Sequence, residues 1–302
     1  MSAIWVDTDM GFDDLWALLL LRTHRIAVAG VSLVAGNAPL PQVEANASGA
    51  QEAYGLDMPV FSGADRPLKR TPETAARILS PLGMRSRGQT LAKPARPPVF
   101  PPAGPALEQW LRTPRRAPER VILALGPLTN IAHLLKSSPK AAARITRLVW
   151  MGGSDGPGNH SPRAEYNALA DPEALDTVLN AQLPLDVVDL TQCRQHCFGP
   201  EDVPDTDPLS RDLLLGYLDI ALERGRKAMA IYDPIAAAAL IWPERFRFAP
   251  RAMNVSLCSD DSYGETSFAE TPMSRTRLVS GGHGPLVRDC LAAFEGGPAH
   301  AH

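Results

Sequence analysis

Near its amino terminus the chain reads "IWVDTDMGFDDLWALLLL", which sets Asp7, Asp9, Asp13 and Asp14 between two apolar runs. Acids this close repel one another, and carboxylates beside buried surface lose hydration, so a compensating charge is required. Asp7 and Asp9 are two apart at the end of a strand-like stretch and therefore point the same way. Gly11 permits a tight turn into a helix whose first turn carries Asp13 and Asp14. First-turn acids complement a helix dipole, and that plainer role accounts for one or two of them. It does not account for all four. A hard divalent cation held by oxygen ligands, calcium or magnesium, does.

A cluster of this kind needs a rigid scaffold, and the chain supplies one. Short apolar runs, "AIWV", "IAVAGVSLVAG", "MPVFSG", "RVILALG", "RLVWMGG" and "LPLDVVDL", alternate with helical patterns such as "DDLWALLLLRTH", "QVEANASGAQEAYG", "PLTNIAHLLKSS" and "DPEALDTVLNA". Strands that are apolar nearly throughout, separated by helices, predict an α/β protein with a mostly parallel central sheet covered by helices on both faces. In such sheets ligands bind beyond the carboxyl ends of the strands. The acid cluster, "AGN", "LGPLTN" and "MGGSDGPGN" all fall there, so four polar strand ends converge on one crevice. Later segments, "AMNVSLCSDDSYGETSF" and "SRTRLVSGG", predict a few antiparallel strands added to the sheet. The proline-rich stretch 85–105 predicts an ordered excursion or lid, because strands continue on both sides of it. We expect one domain over residues 1–295 and a disordered tail over 296–302, with His300 and His302 in it.

At 302 residues and 45% hydrophobic the chain has ample material for a core. A net charge of -3 and the absence of a long basic run give no general attraction to nucleic acid or to anionic lipid. The start "MSAIWVDTD" lacks signal-peptide character, and "LWALLLL" is too short to span a bilayer. A cytoplasmic location is the expectation, with a small molecule as partner. Cys193, His196 and Cys197 in "CRQHCF" superficially resemble a zinc site, but no second ligand pair has zinc spacing, so idle thiols are expected.

The string "DTDMGFDD" followed by an aliphatic helix closely resembles the opening motif of the inosine-uridine-preferring nucleoside hydrolase family. The likeness continues in family order through "VAGN" at 34–37, "LGPLTNIA" at 125–132, "MGGSDGPGNHSPRAEYNALADPEA" at 151–174, "LDVVDLTQ" at 185–192 and "YDPIAA" at 232–237. It covers roughly residues 3–240. The resemblance implies a calcium-dependent hydrolase of the N-glycosidic bond of ribonucleosides, serving nucleoside salvage and assembled as a homodimer or homotetramer. It implies that Asp9 binds calcium and acts as general base on a metal-bound water. Asp14, Asp233 and the backbone carbonyl of Leu125 complete the protein's ligands, with Asp7 one layer behind. Asp13, Asn37, Asn159, Glu165 and Asn167 would hold the ribose hydroxyls and the hydroxymethyl group, and Asp233 would also meet the substrate. Met151 would line the sugar pocket.

The chemistry asks for these residue types independently. Breaking a C1'–N bond passes through an oxocarbenium-like sugar, whose positive charge nearby carboxylates stabilise. A calcium ion lowers the pKa of its water, and an adjacent aspartate takes the proton. A site that hydrogen-bonds every ribose hydroxyl would leave polar groups unpaired against a deoxyribonucleoside, which should therefore be a poor substrate. Plainer roles exist for several of these residues. Asn37 after Gly36 suits an ordinary turn, Asn159 a glycine-loop turn, Glu165 and Asn167 a solvated loop, and Asp233 before Pro234 a helix N-cap.

Two departures from the family concern the leaving group. Many members carry histidine immediately before the aspartate matching Asp233, thought to protonate the departing base; here that residue is Tyr232. A second family histidine, in a glycine-containing loop after the third strand, is replaced by "SPLGMRSRG". Tyr232 is expected to contact the nucleobase, and His160 or His196 could supply a proton from elsewhere. Arg85, Arg87, Arg224 and Arg226 lie in loops that could reach the base or a phosphate, though each suits a solvated charge. Two other functions fit parts of the pattern: a calcium-dependent nucleoside or ribose binder with little turnover, and a metal-dependent phosphohydrolase, for which the few lysines are poorly placed.

Overall fold

A computed structural model describes residues 3–114 and 119–295; the expected tail over 296–302 lies outside the described residues. The first half runs β1 (Ile4–Thr8), α1 (Phe12–Thr23), β2 (Val28–Leu33), α2 (Leu40–Tyr54), β3 (Val60–Phe61), α3 (Ala76–Leu79), α4 (Ala103–Arg112), β4 (Val121–Ala124), α5 (Thr129–Ser137), α6 (Pro139–Ala142) and β5 (Arg147–Met151). Then follow α7 (Tyr166–Ala170), α8 (Pro172–Asn180), β6 (Leu185–Val188), α9 (Leu190–Cys193), β7 (Cys197–Phe198), α10 (Pro208–Leu222), β8 (Met229–Ala230) and α11 (Asp233–Ile241). The chain closes with β9 (Phe246–Val255), β10 (Thr266–Glu270), β11 (Thr276–Gly282) and α12 (Leu286–Leu291).

Nine strands form one sheet in the order β10-β9-β11-β6-β5-β4-β1-β2-β3. Pairing is parallel from β3 through to β11, and β9 is antiparallel to both β11 and β10. The expected parallel sheet with late antiparallel strands is therefore present. Alternation along each strand feeds two cores, one per face. Ile4 and Val6 point to one core and Trp5 to the other; Leu123 opposes Ile122, and Val149 opposes Trp150. On the first face the alanine run of α11, Ala236 to Ala239, is wholly buried against α1. Small side chains let these two helices approach closely, and both begin at the acid cluster.

Sequence patterns missed several elements. The helix α10 was not anticipated, although Asp207 caps it through Ser210 N–H at 3.0 Å and Pro208 stands at its start. The helix α4 and the small sheet pairing β7 with β8 were missed as well. The excursion is longer than expected: between β3 and α4 the chain has no regular element except the one-turn α3. Among the described residues, no helix is long and apolar enough to cross a membrane.

Candidate active site

The cluster begins with the β1–α1 turn. Met10 adopts φ 47°, a left-handed conformation uncommon outside glycine, and reverses the chain between strand and helix. The helix then opens at Gly11, whose N–H donates to Asp14 Oδ2 at 2.8 Å, so the third helical residue reaches back over its own start. Thr8 Oγ1 donates to the other Asp14 oxygen. Across the sheet, Asn37 after β2 clamps Asp9: its N–H donates to Oδ2 at 2.7 Å and its Nδ2 to Oδ1 at 2.9 Å. Gly36 is obligatory for that approach, since a Cβ there would stand 2.0 Å from Asp9 Oδ2. Asn37 is thus a clamp on a buried acid, which overturns its role as an ordinary turn residue.

Asp13, Asp14 and Asp233 offer carboxylate oxygens that lie within 4.8 Å of one another, and Asp14 is in hydrogen-bonding contact with both Asp9 and Asp233. Asp233 is the first residue of α11, not its cap; Tyr232 holds the cap position, so the Asp233 carboxylate is free to face the other acids. Burial pushes all of these acids up, and repulsion among them adds to it at Asp9, Asp13 and Asp233. Asp9 and Asp233 lie well above the ordinary carboxylate range, and Asp13 is pushed up to about 7 by burial and then by Asp14. Behind them Asp7 is raised to about 7 by burial; Asn130 Nδ2 and Ser32 Oγ both donate to its Oδ1, while its buried Oδ2 has no partner among the described residues. Arginines pair with acids elsewhere, as on Asp186, Asp219 and Asp289. A buried set of hard oxygen donors with no paired cationic side chain among the described residues fits a divalent cation.

Above this floor opens a pocket of about 90 Å³, continuous with solvent at its mouth. Asp13, Asn37, Leu125, Met151 and Asn159 reach it from the four predicted strand ends, with Asp233 from α11. Asp7, Asp9 and Asp14 lie just beneath, 0 to 1% exposed. Glu165 and Asn167 are buried, not on a solvated loop. Glu165 caps α7 and accepts N–H bonds from Gly153, Asn167 and Ala168, yet burial still raises it to about 7. Asn167 Nδ2 donates to the carbonyls of Leu125 at 2.9 Å and Met151 at 3.0 Å, fixing the first of these at the pocket wall. Asn159 Oδ1 accepts from Tyr166 N–H.

The rest of the pocket is apolar and aromatic. Ile78 and Leu79 come from α3, Ile220 from α10, and Met229 and Tyr232 from the segment leading into α11. Burial pushes the Tyr232 phenol up to about 12, so it keeps its proton and can donate. Its ring stands edge-on to Tyr217, whose Oη donates to Asp13 Oδ2 at 3.1 Å. Tyr217 and Tyr166 were not foreseen. The first sits on the unrecognised α10; the second lies between Glu165 and Asn167, where one turn of helix brings all three to the same wall. Arg224 reaches the pocket, whereas Arg85 and Arg87 pair with Glu223 and Asp219 outside it. His160 lines the pocket, while His196 meets Gln192. Cys193 is buried against the Tyr232 carbonyl and Cys197 is exposed.

Known proteins bear on this arrangement. The chain is 34% identical over 271 residues, covering 87% of it and 86% of the relative, to the non-specific ribonucleoside hydrolase RihC of Escherichia coli O127:H6. It is 33% identical, with the same coverage, to RihC of Shigella boydii serotype 18. The purine-preferring ribonucleoside hydrolase of Gardnerella vaginalis superposes with a TM-score of 0.86 at 21% identity, over 97% of this chain and 98% of that one. The family model for inosine-uridine preferring nucleoside hydrolases matches residues 4–285, beyond the span that the motifs alone suggested. The chain therefore belongs to the inosine-uridine preferring nucleoside hydrolases, hydrolases that act on N-glycosyl compounds.

Proposed function

We propose that this enzyme cleaves ribonucleosides to base and ribose, with calcium held by Asp9, Asp14, Asp233 and the backbone carbonyl of Leu125. The observation that carries this reading is the buried, uncompensated carboxylate floor beneath a pocket whose polar wall is Asn159, Glu165 and Asn167. Calcium, when bound, supplies the Lewis acidity that makes a water nucleophilic at neutral pH. Asp9, its carboxylate held in line by the two Asn37 donors, would accept the proton of the attacking water. Asp13, braced by Tyr217, and Asp233 face the sugar hydroxyls, and the neighbouring acids stabilise positive charge developing on the ring. Asn167 keeps the Leu125 carbonyl turned toward the site, and Met151 closes the sugar pocket.

Tyr232 meets the nucleobase as a hydrogen-bond donor or as a stacking surface. Family membership displaces the phosphohydrolase reading. The binder with little turnover differs from the enzyme by one measurement. Reducing-sugar release from a panel of purine, pyrimidine and nicotinamide ribosides and from nitrophenyl riboside, with calcium and with chelator, gives calcium-dependent release if the enzyme reading holds. Tight binding of a ribosyl-iminium inhibitor without release from any riboside would sink it. A homodimer or homotetramer and a cytoplasmic location extend the same family likeness, the first open to light scattering of the purified protein.

A further inference from the structure

One buried amide holds the β1–α1 turn and the excursion at once. Asn46, in the middle of α2, is 4% exposed, and both of its amide hydrogens are used. Nδ2 donates to the carbonyl of Met10 at 3.1 Å and to the carbonyl of Leu82 at 2.8 Å, while Oδ1 accepts from Gln42 Nε2 at 2.8 Å. Carbonyls only accept, so this orientation of the amide is the one that satisfies all three partners. Among the described residues, neither carbonyl has another donor. Met10 is the left-handed residue between Asp9 and α1, and the peptide it shares with Gly11 turns its N–H to Asp14 Oδ2. That peptide plane is therefore gripped along one edge by Asn46 and along the other by Asp14, and Gly11 brings no side chain to hold it. The Leu82 carbonyl lies in the turn after α3, where Ser80 at φ 73° and Gly83 at φ 71° fold the chain back. Ser80 Oγ braces this turn, accepting from Leu82 N–H at 3.3 Å and donating to the Met84 carbonyl at 2.8 Å. Just before it, α3 supplies Ile78 and Leu79 to the pocket.

We infer that Asn46 is a positioning residue that makes the presentation of Asp14 depend on the seating of the excursion over the pocket. This rests on the calcium reading above, in which Asp14 is a ligand. With the turn in place, Leu82 and Gln42 fix the rotation of the amide, and its remaining hydrogen points at Met10. With the turn lifted, the amide loses one of its two acceptors and can swing. The left-handed Met10 then loses a contact that holds it in a costly conformation, and the Gly11 N–H no longer meets Asp14 at a fixed angle. Groups that orient a ligand without touching the ion set metal affinity in this way. A base packed on Ile78 and Leu79 holds the excursion down, so the base end and the metal end of the site are joined through one side chain. By linkage, each end then favours binding at the other.

The probe is calcium alone, titrated into the full chain after chelation and followed by calorimetry. Asn46→Ala should weaken calcium binding about ten- to a hundredfold, the scale of losing a group that orients a ligand. Asn46→Asp keeps the volume, offers at most one donor in place of two and should fall between; it carries the test if the alanine variant does not fold. Ser80→Ala loosens the turn without touching the β1–α1 loop and should weaken calcium binding about threefold. In an Asn46→Ala or Asn46→Asp background it should change nothing further, because the turn acts through Asn46. Saturating calcium should return kcat for nitrophenyl riboside to within about threefold of the wild type in each variant. A merely structural asparagine would lower the Tm of the metal-free variant and leave the calcium Kd where it was, and that result overturns the inference. So do additive effects of the two substitutions, or a kcat that stays low at saturating calcium. Absence of calcium binding in the wild-type protein would sink the calcium reading itself, a separate outcome.

Discussion

The floor and the rim of this pocket are built by different physics. On the floor Asp7, Asp9, Asp14 and Asp233 are no more than 3% exposed, and Thr8, Gly11, Asn37 and Asn130 hold three of them by direct hydrogen bonds. The rim is drawn from the one-turn α3, the end of α10 and the approach to α11, and packs largely by apolar contact. A buried network tolerates no change of partner without leaving a charge unpaired, whereas an apolar wall tolerates exchange at modest cost. On the proposed function, chemistry is therefore lodged where the structure is rigid, and base preference where it can vary.

The most severe way to test that division is Asp9→Asn. The amide preserves shape but cannot take a proton, so kcat/KM for any riboside should fall by about 10²- to 10⁴-fold. In the metal-free protein the same change relieves the repulsion from Asp14 but turns an amide NH2 toward one of the two Asn37 donors, so the two effects oppose and Tm should move by no more than roughly 3 °C. Retention of more than a tenth of the wild-type sugar release would break the assignment of the floor to catalysis. No single rim substitution, Ile220→Ala for instance, should approach the loss at Asp9.

Metal and pH sharpen the contrast next. Asp7, Asp13 and Glu165 hold their protons up to about 7 in the fold, against about 4 in an unfolded chain. Folding therefore takes up protons, and its contribution is full below pH 4 and lost as pH rises toward 7. The metal-free protein should become less stable from pH 5 to pH 8. Calcium competes with the protons of Asp9, Asp14 and Asp233, which burial likewise raises, so its stabilisation should grow over the same interval, reaching about 2.7 kcal/mol at a hundredfold excess over Kd. Thermal melts at several pH values with calcium or chelator would show it. A calcium increment that shrinks as pH rises would contradict the floor as the binding site.

Much of the floor could be read from the sequence because local rules set it. Asp7 and Asp9 share a strand face, Asp13 and Asp14 a first helical turn, and Asn37 and Leu125 the ends of neighbouring parallel strands, where ligands gather. The rim could not, since Ile78, Ile220 and Met229 meet only after the excursion folds back onto α10. Polar roles were harder still. Nothing in "AGN" reveals that Asn37 clamps Asp9, because the partner lies 28 residues earlier and across the sheet. Pro234 gave Asp233 a plain role as a cap beside the metal-ligand role that the family resemblance implies; the helix instead begins one residue sooner, which frees its carboxylate.

At the rim, Tyr232→Phe should lower kcat/KM about two- to tenfold for natural nucleosides, the scale of one hydrogen bond to the leaving base. It should leave nitrophenyl riboside unaffected, since that leaving group needs no donor. Equal losses on both substrates would move Tyr232 from the base to the sugar. Tyr232→Ala adds the loss of ring packing against Tyr217 and should therefore cost more than Phe.

The smallest effect belongs to the pins that hold the excursion over the rim. Arg87 donates to Asp219 through Nε at 2.9 Å and Nη2 at 2.6 Å, with both partners partly exposed. Such pairs in solvent contribute about 0.2–1 kcal/mol, and a two-pronged one belongs at the upper end. Arg87→Ala should thus shift Tm by no more than a few degrees, and less in high salt, where screening has already weakened the pair. The same pin tethers the segment carrying Ile78 and Leu79, so any change in KM should appear for bulky purine ribosides before it appears for nitrophenyl riboside. A larger loss in kcat than in KM would mean that the rim governs the chemical step, and the separation between the two halves of the pocket would no longer stand.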